Sequence, residues 1–287
     1  MTTNVLSSYE VDVEDVEYLR HGDKPLLARL YKPRGAGPFP LIVDLHGGAW
    51  CRSDRLEDAP IDQPLAKSGV VVASLDFRMP PDTGYPGSVA DIHYAVRWLK
   101  TRATELRSRP SMVGALGVSS GGQHAMILGM RPNDPRYAAL PLAGADASLR
   151  CVVLCWPVID PLGRYQYAKK LKAGGAPYPE LVDRVLPCHD QYWGTEDAMA
   201  EGSPTRALER GERVQTPPVL YLQGTKDQAH PRPDLDRFVA GYRKAGGKVD
   251  LHLFEGEGEA FIKKNPNSAN SLAALDRIIE FVHAELE

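Results

Sequence analysis

Long apolar runs are missing from this chain of 287 residues, although 43% of them are apolar, and no membrane span is expected. An excess of charge is missing too. The net value is −3, with 34 Lys and Arg against 37 Asp and Glu, so nothing points to nucleic acid or to an anionic membrane surface as a partner. Cysteine is scarce. Cys51, Cys151, Cys155 and Cys188 are too few for a disulfide framework at this length, and Cys151 and Cys155 share one apolar run, without zinc-ligand spacing. No G-x-G-x-x-G opens a strand–helix unit, so neither a metal nor a dinucleotide cofactor is expected. The opening MTTNVLSSYEVDVEDVEYLR lacks a basic stretch followed by an apolar one, so a secretory leader is not expected and a cytoplasmic location fits. Repeats and low-complexity segments are absent, and the apolar content is too high for a disordered chain.

What is present is an alternation of short apolar runs with helical patterns. Residues 9–20 and 26–32 alternate around His21-Gly22-Asp23 and read as an antiparallel hairpin. Leu41–Leu45, Val70–Leu75, Met112–Val118, Cys151–Trp156, Val219–Gln223 and Val249–Phe254 follow, several of them continuous apolar runs suited to parallel strands buried on both faces. Between them, Ser88–Arg102, Gln123–Met130, Leu235–Lys244 and Ser271–Leu286 read as helices. This order predicts one α/β domain with a mostly parallel, doubly wound sheet. The stretch between Trp156 and Val219 is far longer than an ordinary connection. Its tyrosines and tryptophan among Gly and Pro suggest an inserted lid or cap, about 161–205, over a pocket.

The sharpest motif is Gly117-Val118-Ser119-Ser120-Gly121-Gly122, set between a strand and a helix. A tight turn there lifts a serine hydroxyl above the sheet edge, and the helix start aims N–H groups at any anion beside it. His46-Gly47-Gly48-Ala49-Trp50 follows another strand. The N–H groups of Gly47 and Gly48, with that of Ser120, suit a carbonyl oxygen gaining negative charge. His46 is expected to brace this loop, and Trp50 to wall the pocket. Asp227, in Gln223-Gly224-Thr225-Lys226-Asp227 with Pro231 beyond, sits where a carboxylate would orient a catalytic imidazole.

These motifs resemble those of the α/β-hydrolase fold and, within it, of the hormone-sensitive-lipase-like carboxylesterases. His46–Trp50 resembles their HGGGW loop, with Ala49 for the third glycine. Phe77-Arg78-Met79-Pro80-Pro81-Asp82, through Tyr85-Pro86 to Asp91 and Arg97-Trp98-Leu99, resembles YRLAPE…FPA…D…RWL. Their G-D-S-A-G-G reads G-V-S-S-G-G here, with Val118 before the serine, as in related feruloyl- and acetyl-esterase-like members. The resemblance spans about residues 25–285. It implies a Ser119 nucleophile, Asp227 as acid, an oxyanion hole of Gly47, Gly48 and Ser120, and no cofactor. It also implies a small or medium carboxylic ester as substrate and admits a homodimer, since the last strand and helix of such folds commonly form dimer edges.

One position departs from the family. The histidine of the G-E-G-H-A-F pattern falls on Glu259, in Glu255-Gly256-Glu257-Gly258-Glu259-Ala260-Phe261. An ionised glutamate has no proton to donate and would repel Asp227. Four readings follow: an inactivated or engineered esterase, a natural enzyme using Glu259 as base or for other chemistry, another histidine substituting, or a non-catalytic small-molecule binder. Among the eight histidines, His230, three residues after Asp227, is the best substitute; His252 and His124 read as structural.

Overall fold

The computed structural model describes residues 8–175 and 177–287. Eight strands form a single sheet in the order β1-β2-β4-β3-β5-β6-β7-β8. β1 (Val11–His21) and β2 (Lys24–Pro33) form the antiparallel hairpin at one edge. β2 runs antiparallel to β4 (Val71–Leu75), and the other pairings are parallel. They join β3 (Leu41–Leu45), β5 (Val113–Val118), β6 (Val152–Cys155), β7 (Val219–Gly224) and β8 (Val249–Phe254). This is the expected α/β-hydrolase architecture.

Continuous apolar strands arise because each central strand feeds two cores. In β3, Leu41, Val43 and Leu45 pack on one face while Ile42 packs on the other. β7 divides in the same way, Val219 and Tyr221 against Leu220 and Leu222. The first face is covered by α2 (Gly87–Thr101), α3 (Ser120–Met130) and α8 (Arg232–Lys244). The second is covered by α1 (Ala59–Lys67), α9 (Phe261–Lys264) and α10 (Ala269–Leu286). Helix α1 was not expected, because Pro60 and Pro64 interrupt its pattern. Proline in so short a helix forfeits few backbone bonds, and burial of Ile61 and Leu65 holds the turn.

Among the described residues, the long stretch between β6 and β7 holds four helices: α4 (Pro161–Ala173), α5 (Leu181–Trp193), α6 (Glu196–Glu201) and α7 (Pro204–Glu209). Their aromatic side chains make a core of their own, with Tyr192 and Trp193 packed on Trp50. Trp50 is therefore not a pocket wall. It is almost wholly buried, with its indole N–H donating to Gln123 Oε1 at 3.1 Å, and it anchors the inserted helices to the domain. Among the described residues no helix is long and apolar enough to cross a membrane.

Candidate active site

β5 ends at Val118 and α3 starts at Ser120, so Ser119 alone makes the turn. Its φ of 52° and ψ of −115° are unfavourable for an L-residue. The neighbourhood over-determines them. Ser119 N–H donates to Cys155 O at 3.0 Å, and Ser119 O accepts from Val158 N at 2.8 Å and Gly122 N at 3.1 Å. Gly121 is needed because a Cβ there would overlap the carbonyl oxygen of Leu45, the close approach that seats α3 on β3.

Beside this turn, Gly48, Ala49 and Trp50 have φ of 100°, 52° and 64°. A Cβ on Gly48 would also run into Arg52 O, so only glycine fits. The loop is tied to the serine turn by Trp50 N–H donating to Ser120 Oγ at 3.2 Å. Among the described residues, the N–H groups of Gly47, Gly48 and Ser120 donate to no backbone acceptor. His46 braces the loop as expected: its Nδ1 meets Gly47 O at 2.8 Å and its ring stacks on Phe77.

The imidazole at Ser119 belongs to His230. Ser119 Oγ lies 3.2 Å from His230 Nε2, and His230 Nδ1 lies 2.9 Å from Asp227 Oδ2. The loop after β7 places both. Asp227 Oδ1 accepts from Ala229 N at 2.8 Å and from His230 N at 3.1 Å, an Asx-type turn that folds the chain back on the carboxylate. Gln223 Nε2 donates to His230 O at 2.9 Å, and Pro231 then leads into α8. His230 is 3% exposed. Burial pushes the Asp227 carboxyl upward, but His230 and the two loop N–H groups outweigh it and hold the group below the usual aspartate value.

Glu259 does not occupy the base position expected of it. It lies half-buried on the loop between β8 and α9, and its side chain makes no hydrogen bond to Ser119 or Asp227. The hydrogen-bond chain runs through His230. His124 and His252 stand apart, as expected. His124 is buried against Tyr192 OH at 2.9 Å and pushed down to about 3 by burial, while His252 pairs with Asp250 on β8.

Ser119 opens onto a cavity of about 360 Å³, whose walls include Gly47, Gly48, Trp156, Glu259 and Arg164. Helices α4 and α5 contribute Arg164, Arg184 and Val185 to it. None of these three was singled out in the sequence, where a basic residue in a long insertion carries no local signal. Among the described residues no group of three or more His, Cys, Asp or Glu could hold a metal ion.

The family model BD-FAE matches residues 29–234, most of the chain. The chain belongs to the BD-FAE family. Its fold is that of the α/β-hydrolases of hormone-sensitive-lipase-like type, as the sequence motifs implied. Esterase LipC of Mycobacterium tuberculosis is 26% identical over 78% of this chain and 53% of its own length. Carboxylic ester hydrolase LipN of the same organism is 32% identical over 90% of this chain and 67% of its own length. The chain thus spans roughly half to two thirds of the curated relatives it matches. Among solved structures, carboxyl esterase 2 from Tuber melanosporum superposes with a TM-score of 0.77 at 20% identity, covering 98% of this chain and 89% of that one, a likeness of fold.

Proposed function

We propose that this BD-FAE member hydrolyses small or medium carboxylic esters through an acyl-enzyme on Ser119, with His230 as general base and acid and Asp227 holding the imidazole. The observation that carries the reading is the unbroken contact chain from Ser119 Oγ to His230 Nε2 at 3.2 Å and from His230 Nδ1 to Asp227 Oδ2 at 2.9 Å. Asp227 accepts a hydrogen bond from His230 Nδ1–H, which keeps the proton on Nδ1 and leaves Nε2 as the acceptor facing the serine. Ser119 Oγ attacks the ester carbonyl as its proton passes to Nε2. The carbonyl oxygen becomes an oxyanion, met by the N–H groups of Gly47, Gly48 and Ser120. Collapse breaks the C–O bond to the alcohol, and the imidazolium returns the proton to the leaving alkoxide. Water, deprotonated by the same imidazole, then releases the acid and restores Ser119.

The names of LipC and LipN as an esterase and a carboxylic ester hydrolase agree with this reading. So does the cavity, whose volume of about 360 Å³ suits a compact ligand. The helices α4 to α7 act as its cap, since α4 and α5 supply part of the wall. The test is covalent labelling of Ser119 by a fluorophosphonate, together with turnover of short p-nitrophenyl esters. Both are expected in the natural chain and both should be lost in Ser119→Ala. An unlabelled Ser119 with no ester turnover would favour a binder or a different chemistry on this fold.

A further inference from the structure

Arg164 is a buried cation with no direct side-chain partner among the described residues. It lies in the first turn of α4, 3% exposed, and its Nε and Nη1 have no hydrogen-bond acceptor among the described residues. Glu259 and Asp227 are the carboxylates that attract it through space, and among the described residues neither pairs with it directly. The other buried arginine and lysine among the described residues have partners. Arg97 donates to Leu140 O at 2.6 Å and Leu142 O at 2.8 Å, and Lys100 pairs with Asp146 at 2.8 Å. A guanidinium largely stripped of water, with two of its nitrogens unbonded and its nearest carboxylates not in direct contact, costs several kcal/mol. Such an arrangement is expected where a ligand supplies the missing charge.

The position fits that purpose. Arg164 lines the cavity into which Ser119 opens and also the small adjoining recess that His230, Tyr221 and Asp234 enclose. The same cavity carries five basic side chains against two acidic ones, Glu57 and Glu259. Lys263 is already tied to Glu57 and Asp58, and Arg52, Arg184 and Lys264 lie exposed. Exposed cations draw an anion in, but only Arg164 meets it out of water, where the contact counts most.

We infer that the natural ester carries a carboxylate that docks on Arg164, as in the monoester of a short dicarboxylic acid. This inference rests on the ester-hydrolase reading and names the substrate class for that site. The carboxylate fills the vacant donors of Arg164 while the ester carbonyl sits over Ser119. Arg164 then selects substrate and takes no part in proton transfer.

The experiment compares mono-4-nitrophenyl glutarate with its uncharged isostere, 4-nitrophenyl 5-methylhexanoate. In the natural chain kcat/KM is expected to favour the charged ester by about 10–100-fold, the value of a charge-assisted bond out of water. Arg164→Met should bring that ratio to about one or below, and Arg164→Lys should leave an intermediate value. A natural-chain ratio near one, or a ratio that survives in folded Arg164→Met, overturns the inference. Glutarate itself provides a readout independent of turnover: it should raise the melting temperature of the natural chain and not that of Arg164→Met or Arg164→Gln. No glutarate effect on the natural chain counts against the anion site. Glutarate binding that depends on Arg164, with neither ester hydrolysed and Ser119 unlabelled, leaves the anion site standing and refutes the hydrolase.

Discussion

Replacing His230 by alanine separates the two candidate bases most sharply. The imidazole makes both contacts of the relay, 3.2 Å to Ser119 Oγ and 2.9 Å to Asp227 Oδ2, and alanine removes both. Loss of the base in a serine triad lowers kcat by about 10⁴–10⁶-fold, or about 5–8 kcal/mol of barrier. The fold should survive, because Asp227 Oδ1 keeps the N–H groups of Ala229 and residue 230. Glu259→Gln touches neither contact and should change kcat by less than about 10-fold. Glu259→His is equally telling. Were Glu259 a lesion in an ordinary triad, histidine there would restore several orders of magnitude. Here Asp227 is already engaged by His230 and two backbone donors, so a gain below about 10-fold is expected. The assay is kcat on short p-nitrophenyl esters, with folding checked by circular dichroism. A thousandfold loss in Glu259→Gln, or a gain of several orders in Glu259→His, would refute the assignment.

Asp227→Asn should keep the loop folded but present an amide to His230 Nδ1, favouring the wrong tautomer, and lower kcat by about 10⁴-fold; steady-state kinetics with an unchanged melting temperature check this. Beneath the site, Ser74 Oγ lies 2.6 Å from Asp44 Oδ2 and 3.1 Å from Asp62 Oδ2, and burial pushes both carboxyls well up. One hydroxyl proton cannot serve two carboxylates, so a carboxyl proton supplies the second bond. Asp62→Asn should therefore keep or raise the melting temperature at pH 7, and a fall of more than about 5 °C would speak against the protonated form. Burial pushes Asp234 up to about 6, with Asp160 adding to the effect and Arg237 opposing it. The folded chain then holds a proton that the unfolded chain has lost, so the stability from this group is full below about pH 4 and declines through about pH 6 by about 2–3 kcal/mol. Asp234→Asn should flatten that part of the melting-temperature profile measured between pH 4 and 8.

The sheet was legible because its signals are local. Leu41–Leu45 coincides with β3, which is buried throughout and apolar but for Asp44, as a strand covered on both faces requires, and Val249–Phe254 coincides with the edge strand β8, where Asp250 and His252 alternate with apolar residues. Helices with proline inside, α1 at Pro64 and α5 at Pro187, lack that clarity and take their stability from packing. The site divides in the same way. Ser119, Gly47, Gly48 and Ser120 belong to short turns whose backbone needs particular residues, so their positions could be read directly. The base could not be chosen from sequence alone, because two loops offered a residue and only the geometry brings one of them to Ser119. Arg164 was out of reach, since its meaning depends on α4 folding back over a cavity built by distant segments.

The proposed mechanism puts acid and base on one loop, and that changes what the rest of the cleft can do. In the pattern this family resembles, the acid comes from the loop after β7 and the imidazole from the loop after β8, so two loops must hold register. Here Asp227 holds His230 through two contacts and Ala229 through a third, all within four residues, and a short turn has few ways to drift. The loop after β8 is thereby released from proton transfer. Its residues Glu259 and Ala260, with Lys263 and Lys264 from α9, instead form cavity wall beside Ser119. Glutamate is tolerable in that setting because it need not relay a proton, and its charge attracts Arg164 through space. On the proposed mechanism, the histidine missing at Glu259 is a base relocated by one loop, to His230.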